Sequence, residues 1–389
     1  MNGYSDSSRA QELPRPLEGF RVLELAQMLA APSAGLLLAD YGAEVLKVEP
    51  PSGDGLRNLR SAAAATLPES PVFAGYNRGK RLTRLDIRSE EGRAEILRLA
   101  READVVIESS RPGTMDRLGL GASVLRTHNP RLIYASVSGF GHGETGFNMG
   151  GVDNIVQAES GIMSTTGFKD QPATKVGFTV LDAACGHVLC HGILAALLRR
   201  ERTGHGEIVR VSLYDVALHL QTGPIMEYLA TEIQEERCGN SAPLSSPADS
   251  FRCADGHVVI SAYAEAHWKK FIAIISAPEL ADDPRFVTPS LRVVNRAALT
   301  VFIEEKLATR SGAHWVDVMR AQGLLVGLVK DYKAVMSDPL TRESRMIRSV
   351  GAGFGVASPV KLVNSLEASM PPREDLQVVP REVRFHSRS

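Results

Sequence analysis

The first half of the chain alternates short apolar runs with stretches of helical spacing. Arg21-Val-Leu-Glu-Leu25 reads as a strand, and the apolar stretch Ser33–Tyr41, closed by Gly42, as a helix. Glu44–Glu49 is the next strand. Glu90–Ala103 places Ile96, Leu97 and Ala100 on one side and Arg93, Arg98 and Arg101 on the other, an amphipathic helix. Asp104–Glu108 and Leu132–Ser136 are further strands. After the apolar run Ala183–Leu198 and its continuation to Arg200 come a Thr203-Gly204-His205-Gly206 turn, the strand Glu207–Ser212 and a helix over Leu213–Leu220. This order predicts an α/β fold, a Rossmann-like, mainly parallel sheet covered by helices. Ligands of such sheets sit at the carboxyl ends of the strands.

The pattern changes at 238–248, a stretch of Gly, Asn, Ser and Pro with the character of a linker. Beyond it, Phe251–Cys253 and His257–Ser261 flank an Ala254-Asp255-Gly256 turn and read as a hairpin. Helical patterns follow at 266–276, 292–309 and 313–322, which makes a smaller α+β domain. The resulting division is a mobile leader over 1–16, a large domain over 17–222, a small domain with linkers over 223–335, and a Gly- and Pro-rich segment over 336–389 that returns to the large domain. A length of 389 residues fits two domains.

Composition narrows the class without naming a function. With 44 basic and 45 acidic residues the net charge is −1, so no nucleic-acid partner is expected. The polar leader lacks the apolar core of a signal peptide, and the apolar runs are broken by Gly, Arg or Asp short of a membrane span, so no membrane partner is expected either. Cys185, Cys190, Cys238 and Cys253 show no paired spacing, which suggests buried thiols and a cytoplasmic location.

Asp182 is the residue most suggestive of chemistry. A lone acid follows Lys175-Val-Gly-Phe-Thr-Val-Leu181 and precedes the apolar run, which puts a carboxylate at the start of a buried helix. There it can accept from first-turn amides and stay ionised under the helix dipole. It is then either an ordinary N-cap or an oriented nucleophile. Gly139-Phe-Gly141-His-Gly143-Glu-Thr-Gly146, with Gly150 and Gly151, is either a flexible loop or a backbone cradle, but fits neither the Walker nor the dinucleotide pattern. His187 and His191 have metal-ligand spacing, yet Val188 stands where a zincin needs Glu; they read as satisfied core histidines, and no metal is assigned. Arg57, Arg78, Lys80, Arg81, Arg88 and Arg117 punctuate loops after the early strands and together lean towards binding an anion.

Several segments in fixed order resemble the class III CoA-transferases, which include formyl-CoA and carnitine CoA-transferases and the related 2-methylacyl-CoA racemases. They are Pro16–Leu25, Leu38–Pro50, Asn77–Arg81, Arg111-Pro-Gly-Thr-Met-Asp-Arg-Leu-Gly119, Asn129–Ser136, Gly192–Leu197, Arg202–Gly206 and Pro278–Phe286. The resemblance implies the fold of that family, an interlocked homodimer, and an acyl-CoA donor with a carboxylic acid acceptor. CoA is then a substrate, and no permanently bound cofactor is implied. The resemblance puts the catalytic aspartate at Asp182, passing through a mixed anhydride and an aspartyl-CoA thioester. It puts Leu29, Ala30, Leu85, Arg88, Ser109, Ser110 and Arg117 along the CoA groove, with Arg57 among the basic residues near it. Arg88 and Arg117 would meet the phosphates.

Asp153 falls on a supporting carboxylate of the transferases, or is a structural acid. Val152 replaces the histidine of the racemase branch, which argues against a two-base isomerase. The isomerase and a CoA-ester-binding subunit without turnover are the alternatives. Leu29 in place of a glutamine, and the glycine-poor segment Gly239–Ser246, point away from formate or oxalate. A Gly-Glu-His-Thr-like tail is not recognisable after Pro380.

Overall fold

The computed structural model describes residues 13–351, 353–362, 374–375 and 383–387. Most of the expected leader lies outside the described residues, as do 381–382 and 388–389 of the tail after Pro380. The chain forms two compact units. One holds the described residues up to Ile162, Val176–Thr231 and those from Arg342 on; the other holds Met163–Lys175 and Glu232–Thr341. The sequence pattern places the divisions at 222/223 and 335/336, and nothing in it sets 163–175 apart from its neighbours.

The first unit is built on six parallel strands, β1 (Arg21–Glu24), β2 (Glu44–Glu49), β3 (Arg81–Arg84), β4 (Val105–Glu108), β5 (Ile133–Ser138) and β6 (Ile208–Ser212), ordered 3-2-1-4-5-6. A two-residue strand, Glu374–Asp375, extends the β3 edge in parallel. β3 went unread in the sequence because its ends are arginines and it follows a turn-like Asn77–Lys80. Neighbouring strand residues serve opposite faces. Val22, Val45 and Val105 join one core, while Leu23, Leu46 and Val106 join the other. That double burial is why apolar residues stand next to each other in these strands rather than alternating with polar ones.

Among the described residues the sheet is accompanied by α1 (Ala30–Asp40), α2 (Pro71–Asn77), α3 (Glu90–Glu102), α4 (Thr114–Arg117), α5 (Ala122–His128) and α6 (Asp153–Glu159), and, after the single turn α7 (Ile162–Thr165) that passes into the second unit, by α8 (Val180–Thr203), α9 (Leu213–Leu220) and α10 (Thr222–Thr231). α3 is capped as its sequence dictates, with the Ser89 hydroxyl accepting from the amide of Gly92 at 3.0 Å and Glu90 and Glu91 in the first turn. α8 has 24 residues and a most apolar window of mean hydropathy 1.6, so by length and composition it could cross a membrane. This corrects the reading that every apolar run stops short. Its Leu181, Cys185, Leu189 and Ile193 are buried in the core shared with α1, the placement of a core helix.

In the second unit, β7 (Ala248–Cys253) and β8 (Gly256–Ser261) form the expected antiparallel hairpin, and β9 (Leu325–Leu328) pairs with β8. α11 (Glu265–Ile274), α12 (Pro289–Val294), α13 (Arg296–Leu307) and α14 (Gly312–Ala321) cover it. Phe251, Ile260, Trp268, Phe271, Ile303, Trp315 and Met319 make its core. Returning to the first unit, β10 (Ile347–Val350) and β11 (Gly353–Val356) form an antiparallel pair.

Candidate active site

Strand order reverses between β1 and β4, so the crevice at their carboxyl ends is the ligand-binding position of this topology. The loops there touch: the amide of Gln27 donates to the Ser109 hydroxyl at 3.4 Å. Met28 sits in the left-handed region at φ 64°, a strained conformation for a residue with a side chain. The surroundings hold it there. Asp54 accepts from the Met28 amide at 3.2 Å, and Lys47 donates to the Ala26 carbonyl at 2.7 Å while pairing with Asp54 at 2.9 Å and Glu24 at 3.0 Å.

Lys80 completes this buried group, donating to Glu24 at 2.8 Å, the Pro32 carbonyl at 2.9 Å and Asn77 at 3.1 Å. Burial drives the Lys80 ammonium down to about 8, with Glu24 opposing the shift. Gly35 makes room for this packing, since a Cβ there would stand 1.9 Å from Glu24 Oε2.

α8 delivers Asp182 beside this crevice. A Cβ at Gly186 would lie 3.0 Å from the Ala30 carbonyl oxygen and 2.2 Å from Ser33 Cβ, so only glycine lets α8 lie this close to the start of α1. Asp182 is one turn before that contact. It is the third residue of α8 and half-buried.

Its carboxylate does not cap its own helix. Asp153, buried at the start of α6, accepts from the amides of Leu181 at 2.8 Å and Asp182 at 3.2 Å. Gln157 donates to the other Asp153 oxygen and accepts from the Val176 amide at 2.9 Å, which fixes the acid in place. Asp182, burdened by burial and then by the Asp153 charge, is pushed up to about 7. The expectation of a dipole-stabilised, fully ionised Asp182 is thereby corrected. The first-turn amides serve Asp153, so desolvation prevails at Asp182.

The expected CoA-groove residues divide by environment. Leu29 is buried at the N-cap of α1 and its carbonyl accepts from the Ser33 hydroxyl at 2.8 Å; Ala30 follows it. Leu85, just after β3, is buried. The Ser110 amide donates to Glu108 at 2.7 Å, and burial pushes that carboxyl up to about 7 despite this bond. Arg88 and Arg117 are exposed, and among the described residues neither guanidinium pairs with a carboxylate. Arg117 donates to the Thr114 hydroxyl at 3.1 Å.

The other basic residues are engaged inside the protein. Arg57 binds Glu49 at 2.8 Å and Glu69 at 3.2 Å and lies 4.0 Å over the Phe73 ring. Arg78 forks onto Asp40, Lys80 belongs to the buried group, and Arg81 pairs with Glu44. For these four the anion-binding expectation gives way to structural pairing, because carboxylates at the ends of β1, β2 and α1 meet them first.

Other expectations also shift. Gly139 and Gly151 pack against each other, and a Cβ on Gly146 would stand 2.0 Å from the Phe140 carbonyl oxygen. These glycines serve the loop's own packing. His187 and His191 are exposed rather than core residues, and Cys238 is exposed while the other three thiols are buried. The sequence reading passed over Gln157, Asp54, Glu24 and Lys47, and took Lys80 for an anion-binding residue rather than a member of this buried group. The apolar neighbours of Glu24 and Lys47 gave a strand signal, and burial of their charges leaves no mark in a pattern.

Residues 17–372 match the family model described as CoA-transferase family III. The chain belongs to this family. It is 39% identical over 357 residues to the probable fatty acyl-CoA transferase Rv3272 of Mycobacterium tuberculosis, covering 89% of this chain and 91% of that one. A crystal structure of Rv3272 superposes with a TM-score of 0.83 at 38% identity, over 92% of this chain and 96% of the other. The acetyl-CoA:oxalate CoA-transferase of Acetobacter aceti is also 39% identical, over 349 residues and 89% of each chain. A CAIB/BAIF family protein from Brucella suis superposes with a TM-score of 0.84 at 34% identity, over 93% of this chain and 96% of that one. The protein is thus a family III CoA-transferase, with CoA thioesters as its substrates.

Proposed function

We propose that this family III CoA-transferase moves CoA from an acyl-CoA to a free carboxylic acid through covalent intermediates on Asp182. The Asp182 carboxylate attacks the thioester carbonyl, the C–S bond breaks, and a mixed anhydride forms with release of CoA thiolate. The thiolate attacks the Asp182 carbonyl of that anhydride, freeing the donor acid and leaving an aspartyl-CoA thioester. The acceptor carboxylate then attacks this thioester to give a second anhydride and thiolate. Thiolate attack on the acceptor's acyl carbon yields the new acyl-CoA and restores Asp182. No proton or water is consumed, so excluding water preserves the thioester's energy.

The observation that carries this reading is the division of labour between the two aspartates. Asp153 holds the helix amides, and among the described residues the Asp182 carboxylate makes no hydrogen bond or ion pair of its own. A half-buried carboxylate one turn from the crevice, relieved of capping, is available for attack. In this reading Leu29, Ala30, Leu85, Ser109 and Ser110 line the CoA groove, Arg88 and Arg117 meet its phosphates, and Arg57 builds the wall through Glu49. Asp153, committed to two amides, is a positioning residue. That commitment, with the exposed Val152 beside it, argues against the isomerase alternative, which needs a general base opposite Asp182.

A homodimer working in the cytoplasm completes the proposal. α10 buries none of its residues, and its Met226, Tyr228 and Leu229 are exposed together with Val188 and Leu198 of α8. Such apolar faces suit a second copy. The two relatives at 39% identity bear names with a fatty acyl and an acetyl donor, so overall similarity leaves donor class open, and oxalate stays among candidate acceptors.

CoA exchange between an acyl-CoA and its own isotope-labelled free acid tests the reading without knowledge of the natural acceptor. Asp182→Ala is expected to abolish exchange while retaining CoA binding. Exchange that persists in that variant contradicts a nucleophile at Asp182.

A further inference from the structure

A cavity of about 550 Å³ lies among α1, α2 and α8, beside the β10–β11 pair and the residues that follow it. Its volume is that of a small-molecule site, which runs from about 300 to 1,000 Å³. Leu36, Leu37, Val72, Met346 and Val356 make its wall mainly apolar. The charged side chains on that wall, Arg78 and Asp40, are closed on each other, and Arg78 also donates to the Val356 carbonyl at 2.7 Å. Ser33 is bonded to the Leu29 carbonyl. The remaining ionisable side chains on that wall are the Tyr76 phenol and the His187 imidazole.

The cavity is walled by neighbours of Asp182. Ala183 and His187, one and five residues after Asp182, form part of its wall. Tyr76, on the α2 side, has its phenol raised first by burial and then by the Asp182 charge.

We propose that this cavity takes the hydrocarbon tail of the acyl group, which makes CoA esters of apolar monocarboxylic acids longer than a few carbons the substrate class. The inference rests on Asp182 as the reacting residue. A mainly apolar wall whose Arg78–Asp40 pair is already closed favours a hydrocarbon chain over a second carboxylate, such as that of a succinyl group, since burying a charge without a full partner is costly. Each methylene that enters gains about fourfold in rate constant, from the free energy of CH₂ burial.

Gly75 supplies a clean probe. It lines the cavity from within α2, and a Cβ built on it meets nothing within 4 Å. Gly75→Leu therefore fills the space without a clash and puts a better helix former in place. Val72→Phe fills it from the same helix and serves as a second variant. The measurement is kcat/KM for CoA exchange between each thioester and its own labelled acid, for acetyl, butyryl, hexanoyl, octanoyl and succinyl groups.

The wild-type protein is expected to gain severalfold per added methylene from acetyl to hexanoyl and to be slower with succinyl than with butyryl. In either filled variant hexanoyl and octanoyl exchange should fall at least tenfold more than acetyl exchange. A chain-length profile unchanged in both variants, or succinyl-CoA as the best wild-type substrate, overturns the proposal and leaves Asp182 chemistry standing. A variant that dissociates the dimer while keeping the wild-type profile also overturns it, by giving the cavity to the second copy. Exchange with none of the thioesters would remove the Asp182 reading and this one together.

Discussion

At Asp182 the sequence and the structure agree on place and differ on electrostatics. A lone acid between an extended segment and an apolar run is legible as the start of a helix. That its carboxyl is pushed up to about 7 is not, because the causes are its burial in the fold and then the charge of Asp153, 29 residues earlier in the chain. The consequence for rate has a definite sign. Attack needs the carboxylate, so kcat/KM is expected to rise with pH through about 7 and level off above it. Asp153→Asn keeps an acceptor for the α8 amides but removes the like charge. It should move that midpoint to lower pH, with the remaining elevation due to burial. A pH–rate profile of the variant checks this, and an unchanged midpoint would show that the two carboxylates do not interact. The basic residues carry a related lesson. Arg57 and Arg117 look alike in sequence, and only the placement of Glu49 tells a wall residue from an exposed cation.

The decisive contact between elements is that of α1 with α8. Their apolar patterns predict two buried helices but not their closeness, which depends on a glycine seemingly incidental to the run. Gly186→Ala improves intrinsic helix propensity by about 1 kcal/mol. Against this, its Cβ would fall 2.2 Å from Ser33 Cβ, so the helices must separate. Overpacking of this kind costs about 1–3 kcal/mol. The variant is expected to lose stability on balance, and to lose kcat by at least tenfold because Asp182 leaves the crevice. Thermal unfolding read alongside exchange kinetics separates the two effects. The strand order that creates the crevice was only partly legible. Alternating strands and helices announce a parallel sheet, but β3 ends in arginines whose partners, Glu44 and Glu49, lie on β2 and are assigned by pairing rather than by pattern.

For the molecule as a whole, the family places the chain among enzymes that exchange CoA, and its own residues carry the finer account. The small α+β unit was legible from its hairpin and helix periods. Its claim on 163–175 was not, since that contact is made across the chain rather than along it. In the proposed homodimer a second copy covers the exposed apolar residues of α8 and α10, and sedimentation is then expected to return twice the mass of one chain. The most direct test of the central claim is a mass spectrum of the intact protein after incubation with a panel of acyl-CoAs, followed by hydroxylamine trapping and peptide mapping. The account predicts a modification confined to the peptide bearing Asp182 and missing from Asp182→Ala. A modification on another residue, or none from any thioester while CoA still binds, would contradict it.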